Sequence, residues 1–221
     1  MRFPVATLAT ALIALASPAF AAEAPQDPPI SNPTQLIDHV TSENITEMVR
    51  EMGAQQIETR DVGNGQKLVT FVDGSIPYNA GTVICDIRPG KCMALALAVM
   101  MDTGATTYSL DVLNAFNRDN LYLMLVKLED GKIGFGRVTL VDGGVTKKNL
   151  AFNIASFAAT LQQALQHLRS QLVAGVRQDG TFPAANLSGP EPRLVQATPE
   201  EMAKITAKML KQYKTTLGPA K

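Results

Sequence analysis

Few side chains in this sequence could run a reaction: two cysteines and two histidines among 221 residues. Cys85 and Cys92 bracket Pro89 and Gly90, turn residues that separate two apolar stretches, so the pair sits on a hairpin. A loop over residues 87–90 places the cysteines opposite each other, where facing Cα atoms lie about 4.5 to 5.5 Å apart, within disulfide reach. A redox pair would favour the spacing C-x-x-C, and zinc would need His39 and His167, both remote in sequence. The pair reads as a structural disulfide. Neither a metal nor a cofactor is called for.

Other chemistry is thinner still. Gly63-Asn64-Gly65 and Gly134-Phe135-Gly136 begin like phosphate-cradling loops but lack the third glycine and the strand–loop–helix order. No G-x-S-x-G or H-E-x-x-H occurs. His39 borders a proline-rich leader and His167 falls mid-helix beside Leu165 and Leu168, so structural or solvated roles suit both. Asp61, Glu129 and Asp142 adjoin or neighbour glycines and read as turn residues; acidic residues near Asp119 and Asp142 are the one hydrolytic alternative. No catalytic residue is assigned.

The elements that would position these groups begin with an export signal at residues 1–21. Arg2 precedes an apolar run over 5–16, and Ala19-Phe20-Ala21 offers small residues for cleavage after Ala21. That run falls short of the roughly 20 residues of a membrane span. A periplasmic or secreted location, oxidising enough for a disulfide, follows. Residues 22–40 read as a disordered leader, 41–175 as an α+β domain, 176–197 as a linker and 198–217 as a C-terminal amphipathic helix. Twenty basic and twenty acidic side chains cancel, so nothing argues for nucleic acid.

Within the domain, a helix capped by Ser42 ends at Gly53, and strands flank the turn pair Asn64-Gly65. Ser109 caps a short helix through Asn117; a second hairpin turns at Glu129-Asp130-Gly131. Thr146 caps a long helix whose stripe runs Leu150, Ile154, Phe157, Leu161, Leu165, Leu168, Leu172 and stops before Gly175. That helix outruns the strands it should cover. Strand 93–99 is apolar on both faces, with Ala94, Ala96 and Ala98 on the smaller-sided one. Helices of the same chain or an outside partner could cover that surplus. The candidate partner-binding residues are Ala94, Ala96, Ala98, Phe116, Asn117, Leu161, Leu165 and Leu168. The expected partner is a protein or peptide, with a homodimer as an option. Thr198, Pro199 and Glu201 start the last helix as a capping box. Met202, Ile205, Met209 and Tyr213 line one side of it, and its lysines allow a membrane-surface contact as a lesser option.

From residue 82 to 168 the chain resembles the YbjN domain family, described as bacterial sensory-transduction regulators. The likeness is carried by the apolar strand after Cys92 and by Leu113-Asn114-Ala115-Phe116-Asn117. Leu128-Glu129-Asp130-Gly131-Lys132, Asp142-Gly143-Gly144-Val145-Thr146 and the closing helix add to it. Phe116 stands where that family often has tryptophan, and Leu121-Tyr122 replaces a more basic aromatic segment. The resemblance implies a type III secretion chaperone-like α+β fold, with an antiparallel sheet of five to six strands packed with helices. It also implies a binding or regulatory module rather than an enzyme, and transfers no catalytic residue.

Overall fold

Strand β5, Ala94–Asp102, dictates the architecture because both of its sides are apolar. Leu95, Leu97 and Val99 point to one face of the sheet; Ala94, Ala96, Ala98 and Met100 point to the other, and all are buried. A strand with that pattern needs a layer on each side. The computed structural model describes residues 29–85, 91–104, 108–120, 122–178 and 192–217, the side chains of 172–178 and 212–217 excepted. The expected export signal at 1–21, the leader up to residue 28, the expected hairpin turn at 86–90 and the bulk of the linker at 179–191 lie outside the described residues.

The fold is α+β. Strands β2 (Gln55–Gly63), β3 (Gln66–Asp73), β4 (Ile76–Val83), β5, β7 (Ile133–Leu140) and β6 (Met124–Lys127) lie in that spatial order, each antiparallel to its neighbour. A seventh strand, β9 (Arg193–Val195), pairs with β5. A separate two-stranded sheet joins β1 (Leu36–Ile37) to β8 (Val145–Thr146). Helices α1 (Ser42–Glu51), α2 (Leu110–Asp119) and α3 (Lys147–Gln178) supply the core on the first face, and α4 (Pro199–Leu217) crosses the second.

Local sequence explains most of these elements. Thr41, one residue before the expected Ser42, caps α1 by accepting the Asn44 N–H at 3.1 Å, and Gly53 with φ 91° ends the helix. Asn64 and Gly65 both take positive φ, 51° and 71°, the backbone that a two-residue hairpin requires. Ser109 caps α2 and Thr146 caps α3 through the Val112 and Asn149 N–H groups. The stripe on α3 is core: Leu150, Ile154, Phe157, Leu161 and Leu168 are buried on the first face, and Leu165 packs partly buried beside them. Tyr78 stacks on Phe71 at 5.2 Å and meets Phe157 edge-on at 6.2 Å there; burial pushes its hydroxyl pKa up to about 12.

Four expectations need correction. The leader is ordered from residue 29: Ile37 and Val40 are buried, and the Pro33 and Gln35 carbonyls accept the Lys148 and Lys147 N–H groups at the start of α3. α3 runs past Gly175 to Gln178, a tolerated interior glycine rather than a stop. The linker contains a strand, β9, which raises the main sheet from five or six strands to seven. β4 begins at Ile76, earlier than the apolar stretch 82–84 suggests.

The position of β9 has a cause in β4. The register that sets Asn79 opposite Ala98 would set Pro77 opposite Met100, and proline has no N–H to offer. There β9 takes over, pairing Val195 with Met100. The Asn79 side chain closes the junction. With its oxygen turned to the Ala197 N–H and its nitrogen to the Ala197 carbonyl, the amide spans that peptide at 3.1 and 3.2 Å.

Candidate binding surface

The second face of the sheet is floored by small residues, and α4 lies close upon it. A Cβ added to Gly134 would meet Ile205 Cδ1 at 2.6 Å and Cγ1 at 2.7 Å; one on Gly136 would meet Met209 Sδ at 2.5 Å. A side chain at either point would force Ile205 or Met209 to shift. Met202, Ile205 and Met209 are buried against Ala94, Ala96, Ala98 and Met100. Burying three aliphatic side chains of this size stabilises docking by about 1.5–3 kcal/mol each as an upper estimate.

Polar ties fix the start of the helix. Thr198 Oγ1 accepts the Glu201 N–H at 3.2 Å, and the Glu201 carboxylate accepts the Thr198 N–H at 2.8 Å, the expected capping box. The same carboxylate pairs with Lys132 at 2.6 Å, and Lys132 also holds Asp130 at 3.0 Å. Burial pulls the Glu201 pKa up, but Lys132 and Thr198 together outweigh it and hold the carboxyl below its usual range. Further along, Lys208 Nζ donates to the Lys127 carbonyl at 2.8 Å.

Among the described residues, α4 covers β5, β6 and β7 but leaves a groove toward β3 and β4. This cavity of about 1030 Å³ has Leu68, Gly81 and Val83 on its floor. Its walls are Ala203, Ala207 and Leu210 of α4, Val62 of β2 and Asn64 of the β2–β3 turn, with Cys85 at one end. Its rim carries Glu200, Gln66 and Lys67, the last paired with Asp61 at 2.6 Å. Thr206, 7 % exposed, lines it with an Oγ1 that has no hydrogen-bond partner. Beside Cys85, Ile84 holds φ at 58°, a left-handed backbone unusual for a β-branched residue. A groove of this size, apolar inside and polar at its rim, suits a large ligand or the side chains of a docked segment.

Cys85 and Cys92 form the expected disulfide, with Cα atoms 3.9 Å apart, continuing the register that pairs Val83 with Ala94. The eight candidate partner-binding residues do not form a free surface. Ala94, Ala96 and Ala98 lie under α4; Phe116, Leu161 and Leu168 belong to the core of the first face, with Leu165 packed against it. Asn117 holds the Leu125 peptide. The surplus of apolar strand surface is covered largely by the chain's own helices. Sequence reasoning missed the groove, whose only trace is the pair Ala203 and Ala207, one turn apart on the side of α4 away from Ile205 and Met209.

The residues that could do chemistry are dispersed. His39 contacts Asp38 at 2.5 Å, and the His167 ring lies 5.4 Å from Phe116. Asp119 pairs with Arg118 at 3.6 Å on the surface, and Asp142 is exposed in the turn before β8. Among the described residues no group of three His, Cys, Asp or Glu side chains could hold a metal, and no helix is long and apolar enough to cross a membrane. The apolar side of α4 is turned to the sheet, leaving Lys204 and Lys211 on its exposed side. Comparison with protein-family models, curated proteins and solved structures gives no match.

Proposed function

We propose that this protein is an exported, non-enzymatic binding or regulatory module that engages a protein or peptide partner at the second face of its sheet. The observation that carries the reading is the groove between α4 and β3–β4, where an apolar floor and a half-apolar helix flank lie side by side. Apolar surface left between two elements of a sheet layer is the kind of feature that partners cover. The disulfide and the signal pattern at residues 1–21 support a periplasmic or secreted setting. The likeness to YbjN-domain regulators, and through them to secretion chaperones, points toward binding rather than turnover.

A photoreactive amino acid at position 203 or 207, introduced into the full chain in cells, tests this. A single protein adduct, lost when Leu68→Glu charges the groove floor, is the expected result. Labelling that is diffuse and indifferent to Leu68→Glu removes the proposal.

A further inference from the structure

We infer that the notch where the β3–β4 hairpin meets α3, on the first face of the sheet, is a second binding site, built for a small organic ammonium ion with a short hydrocarbon body. It lies across the sheet from the α4 groove and does not depend on the partner reading above.

Strand register places the groups. Phe71 pairs with Tyr78 in the first-face core, and Asp73 pairs with Ile76 two residues further along each strand. Side chains two apart share a face, so all four stand on the first side of the sheet. α3 meets them with Ala158 and Ala159, which are too small to fill the space. What remains is an open notch of about 430 Å³. A smaller cavity of about 40 Å³ shares Asp73, Tyr78 and Ala158 with it and reaches in to Met52, Phe71 and Ile154. That inner space has room for a water molecule or a methyl group and little else.

The chemistry of the lining selects the ligand. Tyr78 is 3 % exposed, yet its hydroxyl meets no hydrogen-bonding group among the described residues. Buried polar groups have partners as a rule, and Tyr78 lines both cavities, so its partner has to come from whatever fills them. Burial, and then the Asp73 carboxylate, raise the hydroxyl pKa to about 12, which keeps it a neutral phenol with lone pairs to offer. Asp73 itself is exposed and has no ion pair among the described residues, and no Lys, Arg or His lines either cavity. A carboxylate so placed beside neutral acceptors attracts a cation. It is the only carboxylate there, too few hard donors to hold a metal ion. An ammonium group fits instead. Its three N–H donors match the Asp73 carboxylate, the Tyr78 hydroxyl and the Gln162 side-chain carbonyl, while its carbon chain lies on Ala158, Ala159 and Ile76.

Amide NMR on the full chain tests the site, with n-butylammonium as the probe and n-butanol and butyrate as its neutral and anionic counterparts. Butylammonium should shift the amides of 74–76 and 158–159 saturably, with a dissociation constant on the order of 1 mM, the scale for so few non-hydrogen atoms. The other two should bind at least roughly tenfold more weakly, because neither brings a positive charge to Asp73. Asp73→Asn should weaken butylammonium by a similar factor, and Tyr78→Phe by about threefold, the loss of one neutral hydrogen bond. Ala159→Leu, which fills the notch from the exposed side of α3, should abolish binding. A response that does not saturate, that butanol matches, or that any of the three variants leaves unchanged would overturn the inference. All three substitutions lie outside the α4 groove, so the photo-adduct at 203 or 207 stands or falls separately.

Discussion

The side chain of Asn117 takes hold of the Leu125 peptide from outside the sheet: Nδ2 donates to the Leu125 carbonyl at 2.9 Å and Oδ1 accepts the Leu125 N–H at 2.7 Å. Because β6 is the last strand on its side, an amide from α2 stands where another strand would. Asn79 does the same for the Ala197 peptide at the β4–β9 junction. The opposite edge, β2, is blunted differently, by Glu58, Arg60 and Asp61 and by register shifts near both of its ends. Both edges are thereby poor templates for a foreign strand.

Asn117→Leu should therefore destabilise the fold by about 1–3 kcal/mol, since it leaves a partly buried donor and acceptor unmatched. Chemical denaturation measures the loss. Concentration-dependent association of the variant should accompany it, and a stable monomer of unchanged midpoint would contradict the role assigned to Asn117.

Gly134→Ala should cost about 1–3 kcal/mol by overpacking, and Gly136→Ala less. The Cβ at 134 meets Ile205, whose branched side chain has one favoured helical rotamer, whereas that at 136 mainly meets the flexible end of Met209. Combining Gly134→Ala with Ile205→Ala should recover at least about 0.5 kcal/mol relative to the sum of the two single losses. Strict additivity would mean that the two residues do not touch.

Among the described residues Lys147 is the most enclosed charge, with a side chain 4 % exposed and carboxylates of Glu47 and Glu51 at 2.6 and 3.0 Å. It pins the start of α3 to α1. Lys147→Met should lower stability by about 2 kcal/mol, short of the 3–5 kcal/mol of a fully buried pair because Glu47 remains open to water. Guanidinium unfolding at neutral pH is the check, and a neutral effect would sink it.

Docking of α4 should weaken in acid. Glu201 is held below its usual pKa range, so its contribution is complete above about pH 4.5 and fades as the pH falls through the lower folded-state value. Faster exchange of the α4 amides at pH 3 than the intrinsic rate change allows is expected in the native chain. The excess should vanish in Glu201→Gln, and its persistence there would assign the acid response to another group.

Removing the disulfide by Cys85→Ser/Cys92→Ser should cost roughly 2.5 kcal/mol on a chain-entropy basis, because the loop it closes is small. The β4–β5 pairing should survive, since Val83 to Asn79 remain in register with Ala94 to Ala98. Loss of β4–β5 amide protection in the variant would refute this.

What the sequence made readable follows the range of the forces involved. Caps, turns and helical stripes are local, and Thr146, Asn64-Gly65, the α3 leucines and the Thr198–Glu201 box were all legible. β9 was not, because Arg193-Leu194-Val195 is too short to show a period and sits among prolines and glycines. Its place depends on Pro77, over a hundred residues earlier. Gly134 and Gly136, weighed only as the start of a phosphate loop and set aside, had no stated purpose in their strand until Ile205 and Met209 supplied it. The alanine face of β5 was recognised as needing a cover, yet alternation along a strand cannot name the cover. Asn117 was placed on the correct helix and given the wrong task, since nothing in 113–117 points to an edge strand beyond it.

The wrap of the chain around the sheet also orders events in time. Residues 193–217 follow every helix of the first layer and the six long strands in the chain, so whether it emerges from a ribosome or from an export channel, one side of a nearly complete sheet waits uncovered until they arrive. Slow synthesis or a stalled chain would leave that side open to its neighbours, and aggregation of the newborn protein should begin there.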